Sequence, residues 1–220
     1  MKRNYLISLL ALLLFVFASE GPNSGSTFIS DGSNGMTDEW LTPTRAVSSN
    51  DSWATCSQTG GETQYLNAQG FGFTSVTGTV DGILVEIEER AVTGGAYEQT
   101  IKVVKGGTIQ GTNKSTGANL PVTDTYVSYG GAADLWGLSW TAADITAADF
   151  GCVISTNSAG VASTRIDHIR ITVTYTAAAS GTKRRVFGEI RDANGNGGVT
   201  LINEYDYRVS AKGGWKFARF

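Results

Sequence analysis

Two stretches of the chain alternate apolar and polar residues with a period of two. From Val80 to Ala91, Ile83, Val85 and Ile87 fall on one face, and Glu86, Glu88 and Arg90 on the other. From Arg165 to Thr176, Ile169, Ile171, Val173 and Tyr175 share a face, opposite Arg170, Thr172 and Thr174. Successive side chains of a strand point to opposite sides, so this pattern predicts antiparallel strands with one face buried and one wet. The two segments also begin alike: Val80-Asp81-Gly82-Ile83 aligns with Ile166-Asp167-His168-Ile169. That reads as a shared entry geometry, not a domain repeat. Between them, Gln99 to Lys105 and Thr108 to Thr112 flank Gly106-Gly107, a hairpin signal because primed turns need positive φ. Leu135 to Trp140 reads as a further strand, and strand pattern resumes over Phe150 to Ser155. Before it, Thr141 can cap a helix turn and Asp144 can return the bond, which predicts one short helix over Ala142 to Ala148. Many short strands with Gly-rich turns and a single helix predict an all-β fold. Its form is an antiparallel β-sandwich, jelly-roll-like, with a small β-rich C-terminal tail.

The flanks of this region read differently. Lys2 and Arg3 precede an uncharged, mostly apolar run of 14 residues, Tyr5 to Ala18, which Glu20 ends. This is the pattern of a secretory signal peptide, with Val16-Phe17-Ala18 before the cut. A retained anchor is the competing reading, but a spanning helix needs about 20 apolar residues. No cysteine follows the run, which argues against a lipoprotein anchor. The expected organisation is a signal peptide over 1–18, a flexible Ser/Gly/Asn-rich N-terminus over 19–38 and a β-sandwich over 39–176. A linker over 177–182 and a short β-rich segment over 183–220 follow.

Composition narrows the class. Hydrophobic residues make up 41% and charged residues 17%, a globular balance and not a disordered one. Twenty-eight glycines against three prolines fit many tight turns. The net charge is -3, and loss of Lys2 and Arg3 with a signal peptide takes it to -5. With no basic block interleaved with aromatics in the central region, nucleic acid is not an expected partner. Lys183, Arg184 and Arg185 read as a solvated linker cluster.

The run Ala68-Gln69-Gly70-Phe71-Gly72-Phe73, then Val80 to Glu88, then Val104-Lys105-Gly106-Gly107, forms a recognisable series. Tyr129-Gly130-Gly131, Asp134 to Thr141, Phe150-Gly151 and Ile166 to Tyr175 continue it. Together these motifs resemble a β-sandwich domain found in bacteriophage structural proteins and bacterial surface proteins. The resemblance covers roughly residues 38–176. It implies a jelly-roll-like module used for virion decoration, attachment or surface binding, and it brings no catalytic residues with it. A signal peptide is unusual in a phage particle protein, which shifts the expectation towards a bacterial secreted protein or a phage-derived gene with an exported product.

Several constellations carry chemistry. Trp53, Trp136, Trp140 and Tyr129 are the aromatic residues expected either in the core or as a platform for a sugar ring, with Trp136 and Trp140 of one strand parity. Asp81 and Asp167 precede the two strong strands, and there they accept turn hydrogen bonds or hold a calcium ion at a sandwich end. Glu86, Glu88 and Glu89 raise the thought of a glycosidase pair, but a solvated strand face with cross-strand partners is the expectation. His168, the only histidine, is expected at the surface or a loop end, since no Gly-x-Ser-x-Gly elbow accompanies it. Asp192 to Gly197 opens like a calcium loop, yet its twelfth position is Asn203 and Glu204 comes one late, so a turn between two strands is expected. Cys56 and Cys152 either bridge or remain two small buried apolar residues; a bridge would close a loop of about 95 residues and contribute roughly 4 kcal/mol. The tail Trp215 to Phe220 is aromatic and basic and is expected to pack on the sandwich or on a neighbouring subunit.

The functional expectation is a non-enzymatic, exported or virion-type structural or adhesion module that makes protein or glycan contacts. The alternatives are a carbohydrate-binding module acting through its tryptophans and, more weakly, a secreted hydrolase. No catalytic residue and no cofactor other than calcium is expected. Partners are other proteins, further copies of the chain or glycans, with no membrane contact once the signal peptide is removed. The location is secreted, at the cell surface or on a virion.

Overall fold

The computed structural model describes residues 17–177, 184–191 and 197–205. They fall in two units, 1–177 and 178–220. The first unit is a two-sheet β-sandwich. Its strands are β1 (Phe17–Ser24), β2 (Thr27–Asp31), β3 (Ala54–Gln58), β4 (Gly61–Glu62), β5 (Tyr65–Gln69), β6 (Thr79–Thr93), β7 (Ala96–Lys105), β8 (Thr108–Gln110), β9 (Thr125–Gly131), β10 (Gly151–Ser158) and β11 (Ala162–Thr176). The first sheet has the order β1-β11-β6-β9, with β3 sharing the β1 edge of β11. The second has the order β2-β5-β10-β7-β8, with β4 beside β5 on β10. From β5 onward the chain alternates between the sheets, except at the β7–β8 hairpin, which stays within the second.

The two alternating segments form β6 and β11, which pair antiparallel along almost their whole length. Ile83, Val85 and Ile87 lie fully buried beside Ile169, Ile171 and Val173. They pack with Leu66, Ala68, Ile101 and Ile154 of the second sheet into one core. The Gly106-Gly107 hairpin joins β7 to β8 with both glycines at positive φ, 57° and 70°. The helix α1 (Ala142–Thr146) carries the expected reciprocal cap between Thr141 and Asp144.

Two β-bulges change which side chains face inward. In β11 the extra residue is Asp167: Ile166 pairs with Glu89 and His168 with Glu88. In β7 the extra residue is Gln99: Thr100 pairs with Ser155 and Glu98 with Thr156. A one-residue insertion reverses the facing of everything beyond it. The first bulge keeps both halves of β11 apolar towards the core. The second sends Glu98 inward.

Three expectations are corrected. Residues 19–38 are not a flexible N-terminus: β1 pairs with β11 and β2 with β5, Phe28 is buried, and Glu20 accepts the backbone N–H groups of Thr74 and Ser75 at 2.9 and 2.7 Å. Ladder hydrogen bonds come from the backbone, so a Ser/Gly/Asn-rich edge strand forms without a strong side-chain pattern. Leu135 to Trp140 is not a strand but opens in a turn, closed by the Leu138 N–H on the Leu135 carbonyl, with Trp136 at φ 58° and Gly137 at φ 72°. The described strands of the sandwich therefore start at Phe17 and not near residue 39; residues 1–16 lie outside the described residues.

In the second unit, β12 (Arg184–Arg191) and β13 (Gly197–Tyr205) pair antiparallel. The calcium-like turn at 192–196, most of the linker at 177–182 and the tail Trp215 to Phe220 lie outside the described residues.

Candidate functional site

The outer face of the β1-β11-β6-β9 sheet is built in cross-strand rows. Arg165 on β11 lies opposite Arg90 on β6. One step on, His168 lies opposite Glu88, which in turn lies opposite Tyr126 on β9. The next row holds Arg170, Glu86 and Ser128.

In the first row the indole of Trp53, which immediately precedes β3, reaches across β11 to the far side of β6. Its ring centre stands 4.5 Å from the Arg165 guanidinium carbon and 5.0 Å from that of Arg90. Its Nε1 donates to Asp124 Oδ1 at 3.1 Å, and Asp124 Oδ2 accepts from Arg90 Nη1 at 3.2 Å. The position of Trp53 is set by the loop before it. The Asp167 carboxylate, placed by the bulge, accepts the N–H groups of Asn50 and Asp51 on Oδ2 at 3.0 and 2.9 Å, and that of Ser52 on Oδ1 at 3.2 Å.

In the second row the side chains of His168 and Tyr126 meet above β6, with 2.7 Å between Nδ1 and the phenol oxygen. Glu88 on the strand between them is buried, and its Oε2 has no hydrogen-bond partner. The other ring nitrogen, Nε2, lies 2.8 Å from Ser24 Oγ on β1. Burial, and then the nearby Arg170 guanidinium, hold the imidazole below its ordinary pKa, so it is neutral at pH 7. His168 is thus a satisfied, buried residue and not the surface or loop-end histidine expected; the bulge gives it the place between β1 and β9. Ser24 and His168 meet as a nucleophile and base would, but a tyrosine hydroxyl occupies Nδ1 where a triad has its carboxylate.

In the third row Glu86 accepts two hydrogen bonds from Arg170, from Nε and Nη2, both at 2.9 Å. The Arg170 guanidinium carbon lies 4.0 Å from the Tyr126 ring centre. Glu86 therefore has the cross-strand partner expected of it.

Glu89 does not share that face. It is 0% exposed, lies among the inward positions of β6 and meets Glu98 of the opposite sheet, 4% exposed, through Tyr129. The Tyr129 hydroxyl lies 3.2 Å from Glu89 Oε1 and 3.1 Å from Glu98 Oε1. Thr116 donates its backbone N–H to Glu98 Oε2 at 3.0 Å. Burial and the neighbouring Glu98 push the Glu89 carboxyl up to about 8, so one carboxyl of the pair holds a proton at neutral pH. The same surroundings raise the Tyr129 phenol far above its usual range.

The aromatic platform expected of Trp136, Trp140 and Tyr129 is overturned by burial: they are 0%, 9% and 4% exposed. Trp136 Nε1 donates to the Ile83 carbonyl at 2.9 Å, and a Cβ on Gly130 would stand 2.7 Å from that nitrogen, so the glycine makes room for the ring. Trp140 Nε1 donates to the Leu135 carbonyl at 2.9 Å, and the ring packs edge-on to Phe150. Of the four aromatic candidates, Trp53 alone is partly exposed.

Asp81 and Asp167 are not brought together. They lie some seven residues apart along the β6–β11 ladder, roughly 20 Å. Asp81 accepts from Thr176 Oγ1 at 2.8 Å, while Asp167 is occupied by the three backbone donors already named. Among the described residues no three His, Cys, Asp or Glu side chains gather as a metal-binding group. Cys56 and Cys152 are free and buried. They sit on β3 and β10, one in each sheet. Burial, with Asp38 nearby, pushes the Cys56 thiol up to about 12, and burial raises that of Cys152 as well.

No protein-family model, no curated protein and no solved structure matches this chain.

Proposed function

We propose that the sandwich is a non-enzymatic structural or adhesion module, exported or carried on a virion, whose contacts run through the outer face of the β1-β11-β6-β9 sheet. The observation that carries this reading is the contrast along that face. Beyond Arg170 it is plain Thr172 and Thr174, whereas from Arg165 to Arg170 guanidinium groups lie against Trp53 and Tyr126. Aromatic rings fixed beside arginines are the composition of recognition surfaces. A cell-binding assay tests it. The protein should sediment with bacterial cells or their envelope, and Tyr126→Ala should release it. Lys102→Ala on the other sheet should not. Equal sedimentation of the Tyr126 variant would end the reading.

A second reading, self-assembly, is favoured by one end of the sandwich. Val92, Val122 and Val161 are 40%, 82% and 78% exposed. They are close together: the Ala91 N–H bonds the Pro121 carbonyl at 2.7 Å, and Gly94 packs against the Val161 carbonyl. Exposed apolar patches mark contact sites. Light scattering should then show oligomers that Val122→Asp dissociates; a monomer at all concentrations would remove this reading.

A further inference from the structure

We infer that the row formed by Trp53, Arg90 and Arg165 binds an acidic saccharide, with the sugar ring on the indole and its carboxylate on the guanidinium groups. The inference rests on the outer-face reading above and names its ligand class.

Like charges directly opposite on neighbouring strands destabilise a sheet. Arg90 and Arg165 are in such register. Only Arg90 has a counter-ion, Asp124; among the described residues Arg165 makes no ion pair and no hydrogen bond. The Nε atoms of both arginines are buried from solvent without a partner. In the next row Glu88 is buried with its Oε2 unpartnered, but among the described residues no ion pair joins it to Arg165, and in the row after that Glu86 is engaged by its own arginine. Within the row, two guanidinium groups thus face a single carboxylate, Asp124. An anion supplied from outside would complete it, and a carboxylate matches a guanidinium fork in shape.

Trp53 decides what kind of anion. Its indole is partly exposed, lies against both guanidinium groups and is fixed at Nε1 by Asp124. A bare inorganic anion would make no use of the ring. A pyranose would stack its C–H face on it while a uronic carboxylate reached Arg165. An acidic peptide would supply the charge without the flat ring, so the saccharide is the better fit.

The test uses the full chain with a galacturonic acid tetrasaccharide and the same tetrasaccharide reduced to neutral galactose. Calorimetry should show binding of the acidic sugar only, weakening steeply as salt rises. Arg165→Gln should weaken it about tenfold or more, the loss of one charged hydrogen bond. That variant should melt no lower than wild type, because it also removes a like-charge contact; retained folding with lost binding separates the site from a merely structural role. Trp53→Leu should lose the sugar as well, and acetate or sulfate should not compete at equal concentration. The inference is overturned by equal affinity for the acidic and neutral sugars, by acid binding that Arg165→Gln leaves intact, by full competition from acetate, or by no binding up to millimolar sugar. Cell binding lost in Tyr126→Ala but indifferent to acidic sugar would leave the outer-face reading standing and this inference failed.

Discussion

Glu86 and Glu89 lie three positions apart on the same strand, in opposite worlds. Glu86 is on the outer face, clasped by a guanidinium with water close by. Glu89 is in the dry interior, where its partners are a phenol and a second carboxyl from the facing sheet. The outer pair solves its charge with a counter-ion; the inner pair solves it by keeping a proton. The two faces also use their tryptophans differently. Trp136 fills volume between the sheets, and Trp53 lies on charge at the surface.

The contrast predicts a graded series of effects. The largest is at Trp136. Replacing it by Ala empties a site that is fully buried and removes the bond to the Ile83 carbonyl, so chemical denaturation should show a loss of about 3–5 kcal/mol. The interior carboxyl comes next. Its pKa in the fold is about 8 against a usual 4.5, so the folded protein holds a proton that the unfolded chain releases. The stability this confers is fully present below pH 4.5 and is lost as pH rises through 8, by an amount on the order of a few kcal/mol. Glu89→Gln cannot ionise and should flatten that decline; a wild-type Tm that holds level from pH 5 to pH 9 would contradict the shared proton. The outer pair should matter less. A double-mutant cycle on Glu86→Ala and Arg170→Ala should give a coupling of about 0.5–1 kcal/mol that fades in high salt, because both side chains remain partly solvated. Smallest is the response of the thiols. Cys56 and Cys152 should resist a thiol reagent at pH 8 in the native protein, and both should react once it is unfolded.

Much of the fold was legible because β6 and β11 carry strict alternation over long runs, and a sheet buried on one face demands that pattern. The Gly106-Gly107 hairpin and the Thr141/Asp144 cap were legible because each motif satisfies its backbone within a few residues. Glu89 could have been placed inside from its parity with Ile83, Val85 and Ile87. Glu98 could not, since its inward direction depends on the bulge at Gln99, and a bulge leaves no mark in a single sequence. His168 was hidden for the same reason. Trp136 and Trp140 misled because two aromatics an even number apart mimic a strand face, whereas turns with positive φ present them both to the core. Strands β1 and β2 were missed because an edge strand is held by neighbours distant in the sequence. The rows of the outer face needed the register of β11, β6 and β9, although their members alternate visibly along each strand.

Asp167 has a consequence beyond the loop it holds. Its three hydrogen bonds immobilise the peptide groups just ahead of Trp53, and that ordering is completed when the chain folds. A molecule arriving at the indole finds a landing already stiff, so little of its adhesion is dissipated in freezing main-chain motion. A ligand taken there as proposed would then bind a surface ordered in advance, which favours specificity even where each contact is weak.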